Sequence, residues 1–385
     1  MVPQVRGELQ IQLDGLVPSA PDHTSRLVDL VLEDAARRGA SDVHFEPTHR
    51  AVEVHFRVDG VLQKVALLNR DLAANVAARL KVLAELLTYR LDIPQEGSIR
   101  QADSRYQADM RVSTFPTILG ERVVVRLFDA TGRVMDLEEL GLAPEILNAL
   151  VALMRERDGA ILLTGPSGSG KTTTIYACLR HLVRSSAGGR HIITIEDPVE
   201  QVIEGVSQSQ ARPGTEFDFA RGLRSLLRQD PEVIMIGEVR DPETAGIAVQ
   251  AALTGHLVFS TLHAGSACGV IGRLLDMGVE PYLLTSGLRG IVNQRLVRRV
   301  CATCSAKAQE CPTCQGTGYG GRLLLAELVM LDPSLRQAIL NHSDTATLEE
   351  VASRTERQTL RDAAGRAIAH GWTTVEEIER VLGPG

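Results

Sequence analysis

Residues 161–174, ILLTGPSGSGKTTT, have the types and spacing of a phosphate-binding loop. An apolar, strand-like run enters a glycine-rich turn that closes as Gly165-x₄-Gly170-Lys171-Thr172. Gly165, Gly168 and Gly170 let the backbone aim its amides at an anion with no Cβ in the way, and the helix that follows offers its positive N-terminal end. Pro166, Ser167, Ser169 and Thr173 complete the loop. In such a loop the lysine, Lys171, reaches the β- and γ-phosphates and the Thr172 hydroxyl ligates magnesium. The competing explanation is a chance glycine-rich turn between a strand and a helix. Spacing, lysine, threonine and flanking pattern agree on a nucleoside triphosphate instead.

Two acidic clusters lie downstream, Glu196-Asp197-Pro198-Val199-Glu200 and Gly237-Glu238-Val239-Arg240-Asp241. The second follows the apolar run Val233-Ile234-Met235-Ile236, which matches the acidic element that holds magnesium in a phosphate-loop ATPase. Either cluster alone is ordinary, since surface loops carry carboxylates routinely. Beside a phosphate loop both become candidates for hydrolysis. A further apolar run ends at Thr261-Leu262-His263, where His263 could contact the γ-phosphate or the attacking water, or be a buried, satisfied histidine.

These groups need a scaffold that brings them together. Strands are expected at 160–164, 191–196, 233–237 and 257–261, alternating with helices, as in a parallel sheet covered on both faces. Ligands of open parallel sheets sit outside the carboxyl ends of the strands, where the polar clusters fall. Earlier in the chain, residues 1–20 read as a loose polar tail. A helix is expected from Thr24, capped at Thr24 or Ser25 and ending near Gly39, then a strand at 42–45 and a hairpin over 51–65 turning at Asp59-Gly60. A helix at 70–89 and strands at 106–113 and 122–128 complete a smaller α+β domain, 21–130. A linker, 131–139, leads into the nucleotide domain, 140–385, whose segment 332–385 is helical.

Composition narrows the function further. The 385 residues carry 41 basic and 48 acidic side chains, a net charge of −7, so nothing attracts nucleic acid or anionic lipid in general. Aromatic residues make up 3%, too few for base-stacking platforms. No apolar run approaches the roughly 20 residues of a spanning helix, and residues 1–12 lack a signal-peptide core, which together point to the cytoplasm. Four of six cysteines form Cys301-x₂-Cys304-x₆-Cys311-x₂-Cys314, while Cys178 and Cys268 stand apart. Two such knuckles can set four thiolates around zinc in a reducing compartment; free or redox-active thiols are the alternative.

In this order, GPSGSGKTTT, TIEDPVE, IMIGEVRD and TGHLVFSTLHA resemble the Walker A, Asp box, Walker B and His box of the secretion ATPase superfamily. The type II secretion and type IV pilus assembly ATPases are the branch most resembled. GLRSLLRQDP, ASDVHFEP, FRVDGVL and RVSTFPTILGERVVVRL agree, and the resemblance spans residues 24–331. It implies a RecA-like ATPase domain preceded by a PAS-like α+β domain, with ATP, magnesium and zinc as cofactors. It further implies Glu200 as catalytic base, Glu238 as magnesium support, His263 as the His-box histidine, and Arg111 and Arg122 as arginines that reach nucleotide phosphates. The family's PQDGR is here PQEGSIR, so Ser98 stands at the expected arginine and Arg100 follows two residues later. The paired cysteines, followed by GTGYGGR at 316–322, fit assembly and secretion enzymes rather than retraction motors, although the six-residue gap is short for the family. Relatives usually begin with another domain that binds an inner-membrane partner; only about 20 residues precede Thr24 here.

The resulting expectation is a homohexameric ATPase, peripheral at the cytoplasmic face of the inner membrane. It would act with a membrane platform protein and the cytoplasmic part of an inner-membrane assembly protein to drive pilin or pseudopilin assembly. An ATP-binding subunit without turnover, and a nucleic-acid motor that grips its strand with the cysteine knuckle, are the readings from other classes. Intact Lys171, Glu200 and Glu238 weigh against the first, and acidity with few aromatics against the second.

Overall fold

The computed structural model describes residues 7–100, 109–127, 135–185, 189–212, 214–307, 311, 313–354 and 357–384. Two compact units divide the chain, Met1–Arg133 and Val134–Gly385.

The first unit contains α1 (Glu8–Asp14), α2 (His23–Arg37), β1 (Asp42–Pro47), β2 (Ala51–Val58), β3 (Val61–Asn69), α3 (Ala73–Leu83), β4 (Gln95–Ile99), β5 (Met110–Thr117) and β6 (Gly120–Leu127). Its strands pair antiparallel in the order β3-β2-β1-β6-β5-β4. Because side chains alternate along a strand, Val43, Phe45, Val54, Phe56 and Val125 form one buried layer, against which α2 and α3 set Leu27, Val31 and Leu80. Asp59 and Gly60 both take positive φ, 49° and 81°, as a two-residue hairpin turn of the right hand requires. The expected loose tail over 1–20 is corrected for its described residues, 7–20: α1 buries Leu9 and Leu13 in this core, and the Gln10 amide donates to Leu67 O at 3.2 Å and accepts from Leu67 N at 2.8 Å. Only two buried leucines in a polar stretch marked it, too few to show a period. The helical cap is also not at Thr24 or Ser25, since α2 starts one residue earlier, after Asp22. α3 stops at Leu83 rather than Tyr89 because Glu85 turns to positive φ, 58°.

The second unit opens with a short 3-10 turn, Leu137–Leu140, closed by a reciprocal Asp136–Glu139 capping box. Leu137 and Leu140 are buried in the second unit's core, so the expected linker 131–139 is ordered there at its end. Then follow α4 (Pro144–Met154), β7 (Gly159–Thr164), α5 (Lys171–Ser185), β8 (Ile192–Glu196), β9 (Ser207–Gln210), α6 (Phe219–Leu226), β10 (Val233–Ile236), α7 (Pro242–Leu253), β11 (Leu257–Thr261), α8 (Ala267–Asp276), α9 (Pro281–Gly287), β12 (Leu288–Val300) and β13 (Tyr319–Met330). Helices α10 (Pro333–Leu340), α11 (Thr345–Ser353), α12 (Leu360–Ala369) and α13 (Val375–Leu382) end the chain.

The strand order is β13-β12-β7-β11-β10-β8-β9, parallel throughout except for the antiparallel β12–β13 pair at one edge. Two apolar layers enclose the sheet. Ile234, Val258 and Leu162 face α7 and α8 on one side, and Ile161, Phe259 and Met235 face α4 and α5 on the other. Strands buried on both faces read as continuous apolar runs, which is why the four central ones were recognisable.

Candidate active site

Strand β7 delivers the chain into the glycine-rich turn at the carboxyl edge of the sheet. Gly165 has φ +140°, and a Cβ there would lie 2.4 Å from Gln294 O and 2.6 Å from Ser169 Oγ, so no other residue fits. Gly168 and Gly170 also take positive φ, 75° and 90°. Helix α5 begins at Lys171, so its unpaired N-terminal amides point into the loop. Lys171 is 9% exposed, and its ammonium donates to Gly165 O at 2.8 Å and to Pro166 O at 3.0 Å. Burial pulls its pKa down, partly offset by the Glu238 carboxylate. Ser169 Oγ is buried with no hydrogen-bond partner, the kind of orphan that a bound phosphate oxygen satisfies.

β10 and β11 bring the next groups to the same edge. Glu238 accepts from Arg240 Nε at 2.8 Å and lies 3.4 Å from His263 Nε2. His263 is 48% exposed in its side chain, which excludes the buried-histidine reading. The loop after β11 is tied to the phosphate loop, since Thr164 Oγ1 donates to Ala264 O and accepts from Ala264 N, both at 3.1 Å. Thr172 and Thr173 open α5, with Thr173 exposed.

The acidic segment after β8 is anchored through a residue that had no assigned role. Glu196 is 2% exposed and accepts from Tyr176 Oη and Thr194 Oγ1 at 2.5 Å each and from Gln208 Nε2 at 3.1 Å. Tyr176 Oη in turn accepts from Glu200 N at 3.2 Å. Burial and the Glu196 carboxylate push the Tyr176 phenol up, so it remains a neutral donor. The exposed Glu200 therefore sits on a backbone fixed to α5, the helix that begins with Lys171.

Polar residues on β12 were also missed. Asn293 pairs with Thr164 across β7, Gln294 Nε2 donates to Thr174 Oγ1 at 2.8 Å, and Arg295 donates to Asn293 Oδ1 and Gly265 O at 2.8 Å each. Asn293 also donates to Glu327 Oε1 of β13 at 2.8 Å. The signal was available as three polar residues, Asn293-Gln294-Arg295, interrupting an otherwise apolar run.

The three candidate arginines belong to the first unit. Arg111 on β5 is ion-paired to Glu96 and stands opposite Ser98 of β4. Arg122 on β6 pairs with Glu46 at 2.7 Å and approaches His44 Nδ1 at 3.4 Å. Arg100 is exposed just past the end of β4. Two steps along a strand return to the same face, so Arg100 continues the side on which Ser98 faces Arg111.

At the far end of β12 and β13, the ligand atoms of Cys301, Cys304, Cys311 and Cys314 all lie within 4.8 Å of one another. Cys301 and Cys311 sulfurs are 3.9 Å apart, and Cys304 and Cys314 sulfurs 3.6 Å. Tetrahedral zinc with Zn–S bonds of about 2.3 Å requires sulfur separations of about 3.8 Å, so the four thiols fit it. Backbone amides of Cys314 and Thr313 help hold the Cys311 thiol down at about 6.

The description type II/IV secretion system protein names the family whose profile matches residues 20–380. Type II secretion system protein HxcR of Pseudomonas aeruginosa is 43% identical over 97% of this chain and 83% of its own length. Type II secretion system ATPase E of Vibrio cholerae is 41% identical over 92% of this chain and 75% of its own. Among solved structures, the pilus retraction motor PilT with bound ADP is 28% identical with a TM-score of 0.63, covering 91% of this chain and 96% of that one. The Legionella pneumophila ATPase DotB shares the fold at a TM-score of 0.71 and 24% identity, over 95% of this chain and 98% of that one. With its sheet order, its phosphate loop and matches of this extent, the chain belongs to the secretion ATPase family.

Proposed function

We propose that this chain is an ATPase that works as a homohexamer and powers assembly of a pseudopilin or pilin filament for type II secretion or pilus extension. The observation that carries the reading is the convergence of Glu238, His263 and the buried Lys171 at the phosphate-loop edge of the sheet. Lys171 would exchange its two carbonyl partners for nucleotide phosphates, and the loop amides with the start of α5 would hold the remaining oxygens. Thr172 and Glu238 would hold magnesium, which would neutralise phosphate charge. Glu200 accepts the proton of the attacking water, positioned by the Tyr176–Glu196 anchor, while His263 orients beside the γ-phosphate. Arg111 and Arg122, with Arg100 in support, add positive charge to the transition state. Partners would be an inner-membrane platform protein and the cytoplasmic part of an assembly protein, placing the enzyme peripherally on the cytoplasmic face. Among the described residues no helix is long and apolar enough to cross a membrane.

Phosphate release separates this from a subunit that only binds nucleotide. The parent protein should release phosphate from ATP with magnesium, and Lys171→Ala should lose both release and nucleotide affinity; binding without release by the parent would favour the non-turnover reading. The cysteine cluster would hold one structural zinc. Elemental analysis of reduced, chelator-free protein should give about one zinc per chain, and none would remove that assignment.

A further inference from the structure

A cleft of about 610 Å³ lies under the β13 edge of the second sheet. Ile146 and Ala149 of α4, Leu328 and Met330 of β13 and Leu335 of α10 form its apolar wall. Met330 pairs with Gly290 and, through it, with Ile161, three positions before Thr164 on β7. The cleft therefore opens about 10 Å back toward the amino ends of the parallel strands, away from the phosphate loop. Its volume is that of a small-molecule site.

One side of this cleft is polar and unsatisfied. Arg357 lines it, with Nε and Nη1 buried and without hydrogen-bond partners, and the neighbouring Gln358 Oε1 is in the same condition. Leaving donors of a charged group unpaired out of water is unfavourable, so such a group marks a place where an acceptor belongs. Two of the nearby carboxylates each cap a helix through one oxygen. Asp332 accepts from Leu335 N at 2.8 Å as the cap of α10, and Asp362 accepts from Thr359 N and Oγ1 at 2.9 and 2.7 Å in the cap of α12. Glu145 is exposed on the first turn of α4, and Arg366, also exposed, adds a second positive charge at the rim.

We propose that this cleft binds a small amphipathic carboxylate, with its acid group on the Arg357 guanidinium and its apolar body against Ile146, Leu328 and Leu335. Nε and Nη1 lie on opposite sides of the guanidinium, so a carboxylate oxygen accepts from one of them in a charge-assisted bond. A neutral alcohol makes only the weaker uncharged bond there, and a cation offers no acceptor.

Isothermal titration of the full chain with decanoate, with 1-decanol as neutral comparator, tests this. Decanoate should bind at one site per chain and at least about tenfold tighter than the alcohol. Arg357→Met should weaken decanoate by about 10–100-fold, the worth of a charge-assisted pair, and leave decanol and phosphate release unchanged. Ala149→Phe, which fills the cleft from α4, should remove binding of both. No saturable binding to the parent protein, equal decanoate affinity in Arg357→Met, or unaltered binding by a folded Ala149→Phe protein would each overturn the proposal.

Discussion

The phosphate loop and the arginine-bearing sheet of the first unit are prepared for charge in opposite ways. Lys171 is buried and already turned inward onto two loop carbonyls, within a backbone that tolerates no Cβ at Gly165. Arg111 and Arg122 have side chains 46% and 41% exposed, each paired with a surface carboxylate, Glu96 and Glu46. A surface pair of that kind contributes about 0.2–1 kcal/mol, so a phosphate can displace the carboxylate at little cost. The loop is built before the ligand arrives, whereas the arginines are held only loosely and are free to be recruited. Under the proposed function, affinity should therefore reside in the second unit, and the proposed role of the first unit's arginines is to add transition-state charge.

Removing an arginine is the sharpest way to break that contrast. Arg111→Ala should lower turnover by about 10³-fold, the worth of an arginine placed on a transferring phosphoryl group, while nucleotide affinity and unfolding temperature stay near the parent's. Steady-state phosphate release and fluorescent-nucleotide titration on the same preparation would check it. A fall in affinity with turnover preserved would reverse the two roles.

A smaller effect tests how firmly the binding half is braced. Glu377 of α13 has a fully buried side chain and accepts from Arg298 N at 2.9 Å, Arg298 Nη2 at 2.7 Å and Arg380 Nη2 at 2.6 Å, fastening the last helix to β12, the strand whose Gln294 packs against Gly165. Burial raises the Glu377 pKa, but the Arg380 and Arg298 hydrogen bonds outweigh it and hold the group at about 2, below its ordinary 4.5. A depressed carboxylate contributes stability that is complete above pH 4.5 and is lost as pH falls toward 2. Glu377→Gln should cost about 3 kcal/mol near neutral pH, because it leaves two guanidinium groups without their buried partner. Urea midpoints measured down the pH scale should show the parent losing its advantage below 4.5. A constant difference between the two proteins at all pH values would contradict this role.

The contrast between the units also explains what the sequence disclosed. The four central strands could be read to within a residue or two of their ends, because burial on both faces leaves apolar runs that end abruptly at polar clusters. The Asp59-Gly60 hairpin was equally visible, since its turn needs residues that accept positive φ. β9, reading Ser-Gln-Ser-Gln, and β4, reading Gln-Glu-Gly-Ser-Ile, are sheet edges whose outward side chains carry no apolar pattern. β12 was hidden differently: its Asn293, Gln294 and Arg295 face the phosphate loop and the neighbouring strand, and so break the run that would have marked it. Glu196 was present in the acidic motif, yet only the fold shows it buried beneath Tyr176 while the exposed Glu200 stands above.

That pair of glutamates gives the most direct test. Glu200→Gln keeps the size and the backbone bond to Tyr176 but removes the proposed proton acceptor, so ATP binding should match the parent within about threefold while single-turnover phosphate release falls by about 10²–10⁴-fold. Release at the parent rate would show that Glu200 is not the base and would contradict the account of hydrolysis at this site.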